Sequence, residues 1–159
     1  MKRIILTLPI FLLLTSCILL PPSNSAELSL GYSPNPSYDC YYDASRGWTW
    51  EVDVEIEEKG GISVTLGNNS PAGYCCTSDF YSGGSLVYSD GYYSDDVESW
   101  FGTLYIPANG SIIQTNANFW YGNYTEGYVV ETYYGEDENG NTVSCSNTLY
   151  LENPNKGSR

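Results

Sequence analysis

The sequence predicts an all-β sandwich, and three observations carry that prediction. The first is the stretch from Trp48 to Glu57. Trp48, Trp50, Val52, Val54 and Ile56 alternate strictly with Thr49, Glu51, Asp53, Glu55 and Glu57. A period of two over ten residues gives a strand one buried and one wet face, whereas a helix would spread these carboxylates around its whole circumference. The second is the spacing of turn signals. Gly60-Gly61, Gly83-Gly84, Asp90-Gly91, Asn109-Gly110 and Asn139-Gly140 divide the chain into about eight short strand-like runs. The third is that no stretch sustains a period of 3.6, while sixteen Tyr, four Trp and four Phe supply residue types that suit a pleated, half-buried surface.

Taken in order, the Trp48–Glu57 strand ends at Glu58-Lys59-Gly60-Gly61. Ile62, Val64 and Leu66 then resume the alternation, which predicts a hairpin. Residues 68–73 read as a loop. Tyr74 to Tyr81 reads as a strand carrying Cys75 and Cys76, and Ser85 to Ser89 as a short strand. Ser94 to Ser99 is acidic and reads as a loop or one helical turn. A strand from Trp100 to Ile106 is stopped by Pro107, because proline has no N–H to give a ladder. Two short strands, Ser111 to Thr115 and Phe119 to Tyr121, precede a closing hairpin. In it, Tyr128 to Tyr134 and Thr142 to Leu151 flank the turn Glu136 to Asn141.

The N-terminal region reads differently. Lys2 and Arg3 precede an apolar run from Ile4 to Leu14, about the length of a signal-peptide core and too short to span a bilayer. Leu14-Thr15-Ser16-Cys17 follows. This stretch resembles the lipobox of bacterial prolipoproteins, matching at all four positions. The resemblance implies diacylglyceryl transfer to the Cys17 sulfur, cleavage before Cys17 and acylation of the new amino group. A thiolate is the nucleophile for such a thioether, and several acyl chains are needed because one holds a membrane only reversibly. The expected division is a signal peptide at 1–16, a lipidated Cys17 with a flexible tether over 17–37, a sandwich over 38–153 and a polar tail over 154–159. The tether rests on Pro21-Pro22 and on Ser33-Pro34-Asn35-Pro36-Ser37. Ile18 stands where Asp would retain an enteric lipoprotein at the inner membrane, so the resemblance favours the outer membrane of a diderm cell.

Cleavage before Cys17 leaves 143 residues, the size of one domain, with four basic residues against nineteen acidic ones. A net charge of −15 opposes binding to nucleic acid or to anionic lipid. Contact with the membrane is therefore expected through the lipid on Cys17. The other cysteines, Cys40, Cys75, Cys76 and Cys145, are an even number in an exported chain and predict two disulfides. Of the three pairings, the one joining neighbours Cys75 and Cys76 needs a strained eight-membered ring. The favoured arrangement pairs one of them with Cys40 and the other with Cys145.

The closing stretch from Gly127 to Leu151, with Asp137-Glu138-Asn139-Gly140-Asn141 at its turn, resembles the last hairpin of bacterial immunoglobulin-like domains. Ile106-Pro107-Ala108-Asn109-Gly110-Ser111 is similar to an inter-strand turn of adhesion-related members. The resemblance covers about a third of the mature chain. It implies an Ig-like antiparallel sandwich, an architecture only; a role in interaction or adhesion, with an envelope protein or a glycan as partner, is a separate expectation.

The chemistry open to the chain is bounded by the absence of histidine. That removes the commonest general base, the Ser-His and Cys-His pairs and most catalytic zinc sites. No enzyme is expected, and a small hydrolase using carboxylates ranks third among the readings. Asp137, Asn139 and Asn141 sit at alternate positions as in a calcium loop, but Gly140 and Thr148 fall where the EF-hand spacing fails, and Asn139-Gly140 is itself a strong hairpin turn. Tyr121, Tyr124 and Tyr128, near Gly122 and Gly127, are the candidate rings for stacking on sugars. The leading expectation is a non-enzymatic envelope lipoprotein, ahead of a calcium- or carbohydrate-binding module on the same sandwich.

Overall fold

The structure, a computed structural model, describes residues 25–154. Cys17 and the lipobox lie outside the described residues. Two antiparallel sheets face each other, and ten strands build them where about eight were expected. Each sheet is organised on one long strand.

In the first sheet that strand is β3 (Gly47–Glu58), the alternating stretch. Along one side it pairs end to end with β2 (Cys40–Asp43) and β1 (Leu28–Ser33). Along the other it pairs with β8 (Ser111–Trp120). In the second sheet the long strand is β9 (Gly127–Asp137). β5 (Cys76–Ser82) pairs with its first half and β4 (Val64–Leu66) with its end, while β10 (Thr142–Leu151) runs along the opposite side. β6 (Ser85–Tyr92) lies outside β5, and β7 (Tyr105–Ile106) outside β4. The one helix among the described residues, α1 (Ser94–Phe101), follows β6 and buries Val97.

From Trp50 to Ile56 the alternation of β3 places its side chains as read, whereas Thr49, expected on the wet face, is buried and Trp48 is half-buried. Trp50, Val52, Val54 and Ile56 are buried, while Asp53 and Glu55 are exposed. The same parity turns Glu58 inward, at 1 % exposure. Its carboxylate accepts backbone N–H bonds from Glu27, Gly60, Gly61, Ile62 and Asn109 at 2.6–3.2 Å. This anion gathers three separate chain segments, and it corrects the expected hairpin. Instead of returning beside β3, the chain turns around Glu58 and crosses to the second sheet, where Val64–Leu66 pairs with β9 and β7.

The tether is corrected over its described part. Leu28, Leu30 and Tyr32 alternate with Ser29, Gly31 and Ser33, Leu30 is buried, and the six residues pair with β3 from Asp53 to Glu58. Beyond them, Asn35 bonds to the backbone at Thr148 and Tyr150, and Ser37 bridges to Leu151. This segment closes one edge of the sandwich against β10.

The two expected strands 111–115 and 119–121 are one strand with a bulge. Val54 opposes Gln114 and Val52 opposes Ala117, so Thr115 and Asn116 face the single residue Asp53. Asn116 has φ 54°, and its N–H donates to the Asp53 carboxylate at 2.9 Å. Trp100 and Phe101, expected in a strand, end the helix, which stops at Gly102 with φ 74°.

No disulfide joins Cys40, Cys75, Cys76 and Cys145, which are free thiols. Cys76 and Cys145 both register with Tyr133 from opposite sides, so two strand spacings, about 10 Å, separate their backbones, beyond what a disulfide bridges. Cys40 registers with Trp50, whose indole N–H donates to Glu152 just past β10. Cys145 lies six residues back from Leu151, roughly 20 Å along that strand.

Candidate functional site

The two sheets are joined along the β1–β10 edge and part along the other, between β8 and β6. A cleft of about 670 Å³ opens there. Its walls follow from strand register. Because of the bulge, Gln114, Ala117 and Phe119 all point inward from β8, and Tyr121 continues the row. Facing them, the inner side of the second sheet carries cross-strand rows. One is Tyr92, Cys76, Tyr133 and Cys145, and the next is Asp90, Ser78, Glu131 and Asn147. The second row is polar across all four strands on a face that should be apolar.

Glu131 sits at the floor, 4 % exposed, on the central strand β9. The Tyr32 hydroxyl reaches it from the first sheet at 3.0 Å, and the hydroxyls of Tyr133 and Ser78 also bond to it. Burial pushes its carboxyl up to about 7, and the three hydroxyl donors hold it from rising further. The phenols answer in kind. Burial and the Glu131 charge keep Tyr32 and Tyr133 protonated well above the ordinary tyrosine range, and burial pushes Tyr92 up to about 12. Tyr121 is raised by burial and by Glu131, and bonds to Ser78.

At the mouth, Trp100 of α1 meets Tyr92 edge to face at 4.9 Å. Tyr121 lies flat on Phe80, with ring centres 3.9 Å apart and planes within 3°. A close backbone approach sets this position: Trp48 N–H donates to Gly122 O at 3.1 Å, and a Cβ at Gly47, where φ is 90°, would run into that carbonyl. On the rim, the Arg46 guanidinium stacks over Trp120 at 4.7 Å.

The sequence-predicted site residues are not gathered here as a set. Tyr121 lines the cleft, and Tyr124 packs edge-on against Phe80 and Tyr88 beside it. Tyr128 is on the opposite face of the second sheet, stacked on Tyr81 at 4.8 Å. Asp137, Asn139 and Asn141 form a turn in which nitrogen donors surround the carboxylate. Asp137 accepts the N–H groups of Ala26, Asn139 and Asn141 and the Asn141 side-chain amide, at 2.9–3.1 Å. These bonds hold its carboxyl below the usual range, with burial opposing them.

Burial pushes Cys75 up to about 11 and Cys145 up to about 12, and raises Cys76 and Cys40 as well.

Sequence reasoning missed Glu131. One signal existed: in Val129, Glu131, Tyr133 and Gly135 the carboxylate takes a position of the same parity as apolar neighbours. Among nineteen acids that signal shows only once the strand's inner face is known.

No protein-family model matches the chain, and no curated protein matches it. Among solved structures, the chain is similar to the X-ray structure of Northeast Structural Genomics Consortium target SoR45. The match has 14% identity and a TM-score of 0.56, over 82% of this chain and 89% of that one. At that identity the likeness is one of fold.

Proposed function

We propose that this protein is a lipid-anchored, non-enzymatic binding module of the bacterial envelope, and that its ligand occupies the cleft between β8 and β6. The anchor rests on the lipobox resemblance at Cys17. The binding role rests on one observation, the buried Glu131 at the floor of an aromatic-walled cleft of about 670 Å³. A carboxylate placed inside a small domain costs stability, and the cleft has the size and mixed lining of a small-molecule site. The test is thermal unfolding with a small-molecule extract of the source cells. The extract should raise the melting temperature of the wild type and leave Gln114→Trp, which fills the cleft, unmoved. Equal behaviour of the two proteins overturns the binding role.

A second reading rests on Asp90, which faces the same cleft in the same cross-strand row as Glu131, with Ser78 of β5 between them. A carboxyl that burial pushes up to about 7, with a second carboxyl lining the same cleft, is the kind of pair that glycoside hydrolysis uses as acid and base. It predicts turnover of an aryl glycoside that Glu131→Gln abolishes. The binding reading predicts none.

A further inference from the structure

Glu131 is surrounded by hydroxyls and has no positive partner among the described residues. Arg46 and Lys59 are the basic side chains among the described residues. Arg46 stacks on Trp120 at the rim, and Lys59 pairs with Glu57 on the outer face of β3 at 3.0 Å. A second carboxylate, Asp90, lies in the same cross-strand row and lines the same cleft. Around them the walls are ring faces and edges, and the electron-rich face of an aromatic ring attracts cations. Arg46 over Trp120 is an instance of that attraction at the mouth of the cleft. The chain's charge of −13 adds long-range attraction for cations.

We propose that the cleft binds a small ligand carrying a protonated amine, with the ammonium group against Glu131 and Asp90 and the apolar part among Tyr92, Trp100 and Tyr121. This deepens the binding reading and rests on it. The ammonium supplies the counter-charge that Glu131 lacks and donates hydrogen bonds where the hydroxyls already bonded to the carboxylate leave acceptor capacity. A neutral sugar fits the rings but brings no counter-charge to the buried Glu131, and Arg46, which also lines the cleft, is held over Trp120 at its mouth. The rim carboxylate sets the outer limit of the charged end and the floor carboxylate its inner limit, so one amine suits the site better than a long polyamine.

The experiment uses matched pairs on the full chain in detergent: glucosamine against glucose, and phenethylamine against 2-phenylethanol. Binding is read by the fluorescence of Trp100 and Trp120, which line the cleft, and by calorimetry. We expect at least one amine to bind about tenfold or more tighter than its neutral partner, a difference of about 1.4 kcal/mol or more. Glu131→Gln should remove the preference. Asp90→Asn lies on an exposed rim, leaves the core intact, and should narrow the preference several-fold. Equal binding within both pairs, or a preference that survives both variants, overturns the amine inference and leaves the binding module standing. Failure of both amines to bind at millimolar concentration also overturns it. The cell-extract measurement then decides separately whether the cleft binds anything.

Discussion

Two buried glutamates show how context sets the behaviour of one side chain. Glu58 meets five backbone N–H groups, which outweigh burial and hold its carboxyl below the usual range. Glu131 meets three hydroxyls, which do not outweigh burial, and it titrates near 7. Their contributions to stability have opposite signs with pH. A depressed carboxyl stabilises above its unfolded range, so the Glu58 contribution is lost as pH falls below it. A raised carboxyl stabilises below its unfolded value and loses that contribution as pH rises. For Glu131 the window runs from 4.5 to about 7. Melting temperature should therefore decline from pH 5 to pH 7.5 in the wild type and decline less in Glu131→Gln. Equal slopes would remove Glu131 as the cause. Glu58→Gln turns acceptors into donors against backbone N–H groups and should cost about 1–3 kcal/mol in chemical denaturation. A loss under half a kilocalorie would show that those N–H groups find other partners.

At the scale of elements, the long alternating strand was legible in the sequence and the short ones were not. β3 announces itself because from Trp48 to Glu57 one face is apolar and the other, after Thr49, is charged. β1 has the same alternation over only six residues and sits beside proline- and serine-rich sequence, so its local signal is that of a linker. Its pairing with β3 and the contact from Tyr32 to Glu131 decide its state. A chain starting at residue 25 should therefore unfold cooperatively near the wild-type temperature. One starting at Tyr38 should melt at least several degrees lower and lose the raised titration of Glu131. Equal melting of the two would return 25–37 to the role of tether. The β8 bulge is another case. Asn116 takes a left-handed conformation that Asn tolerates better than most residues, yet nothing near it in sequence predicts a bulge without the partner strand and Asp53.

For the whole molecule, the free thiols and the anchor give separate tests. Cys76 and Cys145 stand on either side of Tyr133, and burial raises both thiols above the ordinary range. The domain expressed from residue 25 and denatured without reductant should give four titratable thiols, with Cys75, Cys76 and Cys145 slow to react in the native state. Two or none would mean disulfides form after all. At the N-terminus, Cys17→Ser should leave an unprocessed precursor and abolish partitioning into detergent. Equal amounts of mature protein in the detergent phase from both versions would remove the lipoprotein reading. The cleft itself follows from the whole fold: joining β1 to β10 leaves the opposite edges, β8 and β6, apart.

By itself the sequence determined the fold class, the central strand of the first sheet, the final hairpin and its turn, because each is written in period-two burial or in local turn chemistry. It also determined the acidity and the absence of histidine, which narrow the chemistry at any site. Only the tertiary structure decided that Val64–Leu66 crosses to the second sheet, that 28–33 is a strand, and that the four cysteines stay free, with Cys76 and Cys145 two strand spacings apart. Only it decided which of nineteen carboxylates matters. Tyr32, Ser78, Glu131 and Tyr133 come from three strands, and two of them are separated by 99 positions in the chain. Their convergence depends on register and on which way each strand faces, and neither is a property of any one segment.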